Sequence, residues 1–481
     1  MHPIPQNAEH EISRRRRTLI LVNACVLTFM ATLDGSIVNV ALPVVAHAFA
    51  VGIDAVQWVV TSYLLTISAV LLVWGRLSDL HGRKRFFAAG LAIFTLGSFL
   101  CGLSANLFEL VLARVLQAVG ASMGMALVQG IVTAIFPPNE RGKALGFVGT
   151  VVAVGSLLGP SLGGLIVAAA GWRAIFFVNV PVGIAGVILT LVVMPESKAR
   201  ADGSPFDVAG AVLLALAIIG SFGGMLSIQE GVFPPEAGLA AIAAAVALFA
   251  LFIRVERSRP APLVEGVLFK NPIFTFGIVA AWMSYVAMFA YVFLMPFYLQ
   301  SYRHFGVLET GMLMSLYPVV TAVLAPLFGA LSDRITYRPL TIAGLLVNAI
   351  VLAAIAGLGP SSSTTVIGLL IALLGVGGAA FQAPNNSSVM GAVPRDRLGI
   401  AGSLNSFFRN LGMVSGTTLA VSLFTAVTRA RIDASGAAAI DSAVFLHGFR
   451  AVALCAAAVA LAGAAASAVR GRFSAAEGLS S

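Results

Sequence analysis

The sequence predicts an all-α polytopic membrane protein built as two pseudo-symmetric six-helix bundles plus two extra helices, fourteen transmembrane spans in total. Three observations carry this. Of 481 residues, 59% are hydrophobic and only 10% charged, with a mean hydropathy of +0.97; soluble domains carry about a quarter charged residues. A loop motif then occurs twice, GRLSDLHGRKRFFAAG at Gly75–Gly90 and GALSDRITYRPLTIAG at Gly329–Gly344, at a register of 329 − 75 = 254. A second pair, PNERGKALG at Pro138–Gly146 and PRDRLGIAG at Pro394–Gly402, repeats at 394 − 138 = 256. Matching loops at a near-constant offset imply a duplicated membrane fold, and such duplications generally house a solute pathway between their halves.

The spans follow from length. A membrane helix needs roughly 20 apolar residues. Stretches of that kind fall at 18–45, 55–76, 86–104, 107–135, 143–169 and 172–194 in the first half. The extra pair is 207–228 and 237–255, preceded by the linker Glu196–Phe206 and joined by the Pro-bearing loop Gln229–Gly238. The second half supplies 271–300, 309–332, 339–358, 363–392, 398–427 and 447–469. The expected units are 1–195, 196–262 and 263–481. Arg429–His447 reads as an outside loop of helix-forming and polar residues between the last two spans, with alternation too weak to assign an interfacial hairpin.

The basic residues test this count, because cytoplasmic loops hold the Lys and Arg. Arg14–Arg17, Arg76, Arg83, Lys84, Arg85, Arg141, Lys143, Lys198, Arg200, Arg254, Arg257, Arg259 and Lys270 fall on one side. Arg334, Arg338, Arg395, Arg397, Arg470 and Arg472 join them. Both termini are therefore expected in the cytoplasm. The formal charge of +9 reports topology and contact with anionic lipid rather than a nucleic-acid partner.

Charges inside the spans are few: Asp34, Arg114 and Arg409. An ionisable group at that depth is costly and marks function by default. Asp34 lies about 24 Å along span 1 at 1.5 Å per residue, a depth comparable to that of Arg114 in span 4. The bland reading is a fixed ion pair; the sharper one is a carboxylate that gains and loses a proton beside a gating cation. Arg114, Gln117, Ala121 and Met125 share one helical face, expected to line an aqueous cavity. Arg409, in SFFRNLG (Ser406–Gly412), either meets an anionic group or neutralises helix-end carbonyls.

Gly155, Gly159 and Gly163, with Pro160 among them, form one ridge on span 5, as a close helix crossing requires. Gly412 and Gly416 repeat part of it at 412 − 155 = 257. Trp282, Tyr285 and Phe289 share a face of the first span of the second half, and Phe381, Gln382, Asn385 and Asn386 surround Pro384. Aromatics, Met and amides together suit an apolar or cationic organic ligand, although such stripes more often pack a core.

Other chemistry finds no support. Cys25, Cys101 and Cys455 sit in apolar stretches as packing residues, and the six His show no metal-ligand spacing. The phosphate-loop pattern fails because Gly142-Lys143 is followed by Ala144. No cofactor is expected, nor an enzyme, for want of a nucleophile–base pair; a gradient or another chain must supply the energy. Ser13–Arg17 faintly suggests an export signal, but the following run carries Asp34 and no cleavage site.

At these motifs the chain resembles the major facilitator superfamily, specifically its fourteen-span drug/proton antiporter branch. The stretches that carry the resemblance are LDGSIVNVALP (Leu33–Pro43), QWVVTSYLL (Gln57–Leu65), GRLSDLHGRKR (Gly75–Arg85), LARVLQAVGA (Leu112–Ala121), GSLLGPSLGG (Gly155–Gly164), WRAIFFVNVPVG (Trp172–Gly183) and Gln382–Gly412. The resemblance implies two bundles rocking about a central cavity, exchanging an amphipathic organic solute for protons in a bacterial inner membrane, as a functional monomer. Asp34 and Arg114 would belong to proton coupling. Gln57, Tyr63, Gln117, Trp282, Tyr285, Phe289, Phe381, Asn385 and Arg409 are the substrate-site candidates. Gly75, Asp79, Arg83 and Lys84 would latch the cytosolic side, with Glu140, Arg141 and the repeat's Asp333 in the same charge network, and Gly155, Gly159, Pro160 and Gly163 as the antiporter motif. The second half has no intramembrane acid, which disfavours dications. The alternatives are an exporter of one metabolite, an anionic one being held by Arg114 and Arg409, and a non-transporting membrane sensor.

Overall fold

A computed structural model describes residues 13–196, 207–230, 234–259, 263–394, 397–435 and 442–477. Within them the chain is helical throughout. The first half comprises α1 (Arg14–Ala48), α2 (Ile53–Val56), α3 (Trp58–His81), α4 (Arg83–Leu103), α5 (Leu107–Ile135), α6 (Pro138–Ala170), α7 (Ala174–Phe177) and α8 (Asn179–Val193). The extra pair is α9 (Val208–Glu230) and α10 (Pro235–Glu256). The second half comprises α11 (Pro272–Phe297), α12 (Val307–Ile335), α13 (Tyr337–Ile355), α14 (Thr364–Gly391), α15 (Leu398–Ser435) and α16 (Ser442–Glu477).

Thirteen spans among the described residues are long and apolar enough to cross a bilayer. The fourteenth is α6, whose charged start leaves a shorter apolar stretch, Val154–Ala170. Two spans begin as a separate turn, α2 before α3 and α7 before α8, and α11 runs on into a π-helical turn at Tyr298–Tyr302. The expected loop at 429–447 is replaced by continuation of α15 to Ser435 and a start of α16 at Ser442. Ala, Arg and Ile there favour helix, and Arg431 meets His447 at 3.0 Å. Residues 436–441 and the linker 197–206 lie outside the described set.

Local chemistry sets the ends. Asn106 caps α5 by accepting from the Glu109 amide at 2.9 Å, while Glu109 accepts from the Ala105 amide at 2.8 Å, which is the reciprocal logic of a capping box. Asn271 caps α11 ahead of Pro272, a residue suited to the first helical turn. The turn between α3 and α4 uses Gly82 at φ 97°; its counterpart between α12 and α13 is Thr336 at φ 70°, one register of 336 − 82 = 254 away. The loop geometry repeats even where the glycine does not.

Helix pairing also repeats. α1 packs on α6, α4 on α5 and α3 on α5; in the second half α11 packs on α15, α13 on α14 and α12 on α14. A Cβ on Gly159 would meet Ser36, and one on Gly163 would lie 3.0 Å from the Ile37 carbonyl. Likewise a Cβ on Gly412 would lie 2.8 Å from the Trp282 carbonyl. Both glycine ridges thus serve the close approach expected of them. The extra pair stands outside this pattern: α10 packs on α9, and α9 touches α3 of one half and α15 of the other.

The termini of α1 and α16 define one face of the molecule, here the terminal face. Contacts between halves are well developed at the other end. A Cβ on Gly164 would lie 2.8 Å from the Val307 carbonyl, and Gly311 sits against the carbonyl of Pro160. Gln300 in the π-helical turn donates to the Val40 carbonyl at 2.9 Å. The outward helix faces carry exposed Phe108, Leu191, Val192, Val246, Val323 and Leu327, as a lipid-facing surface does.

Candidate functional site

Asp34 and Arg114 meet inside the first bundle. Gly159 and Gly163 let α6 lie close to Ser36 and Ile37 of α1, and Gly97 and Gly120 let α4 lie on α5: a Cβ on Gly97 would sit 2.5 Å from Cα of Gln117. This brings Asp34 against α5, where Arg114 Nη1 donates to Asp34 Oδ2. Gln117 bridges the pair, accepting from Arg114 Nη1 at 2.6 Å and donating through Nε2 to Asp34 Oδ1 at 2.9 Å. Asn179, the first residue of α8, donates to the same Oδ1 at 3.3 Å. Arg114 Nε donates to the Val59 carbonyl at 2.9 Å, and its guanidinium lies 3.9 Å from the Tyr63 ring centroid. Ser98 accepts from Gln117 at 2.7 Å.

The cluster is closed to solvent, with Asp34 and Arg114 each 1% exposed. A buried ion pair survives only when its remaining hydrogen-bonding capacity is satisfied; Gln117, Asn179 and the Val59 carbonyl do this from three helices, while Ser98 holds Gln117 and the Tyr63 ring covers the guanidinium. Of these, Asn179 and Ser98 escape sequence reading, because neutral polar side chains are common in apolar spans. Tyr63 and Gln117, expected at the substrate, belong instead to this sealed network. The face of α5 carrying Arg114 and Gln117 therefore looks into its own bundle and not into water. Gln57, at the α2–α3 junction, is buried and donates to the Asp54 carbonyl at 2.7 Å.

The second half divides the remaining candidates. Phe381 packs with Leu345 and Ala464 inside the bundle. Asn385 is also interior, donating to the Gly277 carbonyl at 3.2 Å and accepting from Arg470 Nη1 at 2.6 Å. Arg470 is itself fully buried, its guanidinium 4.4 Å from the Tyr337 ring centroid and bonded to Ser388. Arg470, expected just beyond the last span, lies within α16, which runs on to Glu477. Phe381 and Asn385 are thus set aside as substrate contacts. The neighbouring face of α14 is the open one: Gln382 donates to the Tyr317 hydroxyl at 3.0 Å, and exposed Asn386 accepts from Asn405 of α15 at 2.9 Å. Trp282, Tyr285, Phe289 and Arg409 are half-buried along the α11–α15 contact.

The gating candidates split as well. The side chains of Asp79, Arg141 and Asp333 lie outside the described residues. Arg83 donates to the Gly130 carbonyl at 2.5 Å, Lys84 lies 3.5 Å from Glu196, and Glu140 lies 3.7 Å from Arg17. These contacts stay within the first half, fastening its own loops. Gly75 has open space where a Cβ would be, so no close approach demands glycine there.

Comparison with known proteins agrees with this geometry. The family profile described as Major Facilitator Superfamily matches residues 24–417. The chain is 36% identical over 413 residues to a protein named riboflavin transporter RibZ of Clostridioides difficile, covering 85% of this chain and 89% of that one. It is 32% identical over 441 residues to multidrug resistance protein Stp of Mycobacterium tuberculosis, covering 90% and 80%. Among solved structures, it superimposes with a TM-score of 0.67 and 16% identity on a bacterial homolog of the human lysosomal transporter Spinster in an inward-facing, unoccupied conformation, covering 96% of this chain and 98% of that one. With a duplicated six-helix bundle, a sealed intramembrane ion pair and a family match across most of its length, the chain is a transporter of the Major Facilitator Superfamily.

Proposed function

We propose that the protein is a proton-coupled antiporter that exports amphipathic organic compounds by alternating access, with Asp34 as the proton-carrying group. The observation that carries this reading is the Asp34–Arg114 cluster: a membrane-buried acid held by a cation and two amides. In this conformation Arg114 is the counter-charge of Asp34. In the proposed cycle a second state parts Arg114 from Asp34, and Asp34 carries the proton in that state. Protonation thereby depends on which side of the protein is open, which is the requirement for coupling.

The terminal face is read as cytoplasmic, on the bias of Lys and Arg toward it. The closed opposite face, through Gln300, Val40, Gly164 and Gly311, is then the outer gate. Multidrug resistance in the name of one relative supports a broad organic substrate. A second reading, export of one metabolite, draws on the riboflavin named in another. Everted vesicles with an internal pH-sensitive dye test the proposal. Addition of a substrate should release protons from acidified vesicles in the native protein and not in Asp34→Asn; solute movement without proton movement refutes it.

A further inference from the structure

Arg409 is the unexplained charge of the second half. It stands 11 residues into α15, or ~16 Å along the helix, within the span Ile400–Ala434. It forms no ion pair or hydrogen bond among the described residues, and its Nε is buried without an acceptor. It does not neutralise helix-end carbonyls, since no backbone oxygen receives a bond from it. A guanidinium left bare at this depth is expensive unless water or a ligand meets it.

Its surroundings form an aqueous strip. Asn405 and Arg409 are one turn apart on α15, and Gln382 and Asn386 are one turn apart on α14. The Asn405–Asn386 bond is exposed although both residues lie within membrane spans. Exposed amides are untenable against hydrocarbon, so this surface faces water. Further in, Gln382 bonds Tyr317, and Trp282 and Tyr285 stand on α11 beside Gly412, one turn beyond Arg409. Trp282 Nε1 is a second buried donor with no acceptor. Meanwhile Asp34 is sealed in the other bundle and bound to Arg114, so it offers no counter-charge to a cationic solute in this state.

We propose that the strip is the docking site for an aromatic solute bearing an anionic or strongly hydrogen-bond-accepting group, such as a carboxylate, phenolate or imide, received by Arg409 with Trp282 and Tyr285 against its ring. This rests on the transport reading and names its substrate class. It moves that class away from lipophilic cations, and it leaves Arg114 out of substrate contact. Arg409 supplies charge-assisted hydrogen bonds, the strong kind, and its planar group fits a carboxylate or imide edge.

Two dyes of one scaffold separate the alternatives: anionic fluorescein and cationic rhodamine 123, titrated against the purified full-length protein in nanodiscs by fluorescence polarisation. Fluorescein should bind the native protein more tightly. R409Q should weaken it about tenfold or more and leave rhodamine 123 unchanged or tighter; R409K should restore part of the preference and R409E should invert it. Thermal melting curves verify that each variant is folded. Rhodamine 123 binding as tightly as fluorescein, an equal change for both dyes in R409Q, or binding of neither dye overturns the proposal. Proton-driven export of rhodamine 123 but not of fluorescein by the native protein would overturn it while leaving the transport reading intact, so the two fail separately.

Discussion

Replacing Asp34 by Asn separates a coupling carboxylate from a merely structural one. The side chain keeps its shape and one oxygen, so Gln117 and Asn179 retain an acceptor at 2.9 and 3.3 Å. Arg114 loses its counter-charge, and removing one partner of a buried pair costs about 3–5 kcal/mol. Arg114 keeps Gln117 Oε1 at 2.6 Å, the Val59 carbonyl at 2.9 Å and the Tyr63 ring face, which places the expected loss near about 3 kcal/mol. Arg114→Gln costs less, because an abandoned carboxylate can bind a proton and become neutral whereas a guanidinium cannot. The double variant should then be more stable than the sum of the single losses predicts, by about 1–3 kcal/mol. Chemical denaturation in detergent measures the stabilities, and vesicle proton release measures function on the same preparations. Additive losses would show that the two charges do not interact. A folded Asp34→Asn protein that exports against a gradient at the native rate, with native pH dependence, would refute the assignment of Asp34 to coupling.

Gln300→Ala removes the side-chain hydrogen bond from α11's π-helical turn to Val40. Losing about 1 kcal/mol there should raise the population open at the opposite face about fivefold, seen as faster labelling of a cysteine placed near Val40; unchanged labelling would exclude a gating role. Gly159→Leu should destabilise by about 1–3 kcal/mol through overpacking against Ser36 and Ile37, whereas Gly75→Ala, with open space around it, should leave the melting midpoint unmoved. Thr336→Gly should stabilise by about 1 kcal/mol, because φ 70° and ψ 161° form a glycine-type conformation that strains a β-branched residue. A lower midpoint for Thr336→Gly would mean that the Thr side chain contributes more than its backbone strain removes.

Spans and halves were legible because bilayer thickness fixes helix length and duplication fixes register. The Asp34–Arg114 pair was legible for a related reason: charges in apolar spans are so few that two at similar depth must find each other or water. The glycine ridges of α6 and α15 were readable as close crossings, since their function is steric and local. The substrate side was only half readable. On α14, Phe381 and Asn385 share one face while Gln382 and Asn386 share the next. Helical spacing separates these faces but does not say which turns inward. The structure gives 381 and 385 to Leu345, Gly277 and Arg470, and 382 and 386 to the open strip. Gln300 and Arg470 carried no sequence signal, as polar residues near span ends are ordinary.

On the proposed cycle, α1 is the element that can connect proton and gate. It carries Asp34; its stretch from Thr32 to Ile37 rests on the Gly155 and Gly159 ridge of α6; and Val40 accepts the bond from Gln300. Asp34 and Val40 are 6 residues apart by 40 − 34, or ~9 Å along a rigid helix. Ser36 Oγ donates to the Gly155 carbonyl at 3.3 Å as well as to its own helix at 2.9 Å, so the α1–α6 contact holds by a weak, shared bond over a smooth glycine surface. Such a contact resists separation but not sliding. On that cycle, a change in the pull of Arg114 on Asp34 would shift α1 along α6 and reach Val40 through the same helix. Against that, the contact between halves at the opposite face depends on glycine backbone approach and the hydrogen bond from Gln300. An interface of that kind separates two states by a few kcal/mol, within what neutralising one buried carboxylate can supply.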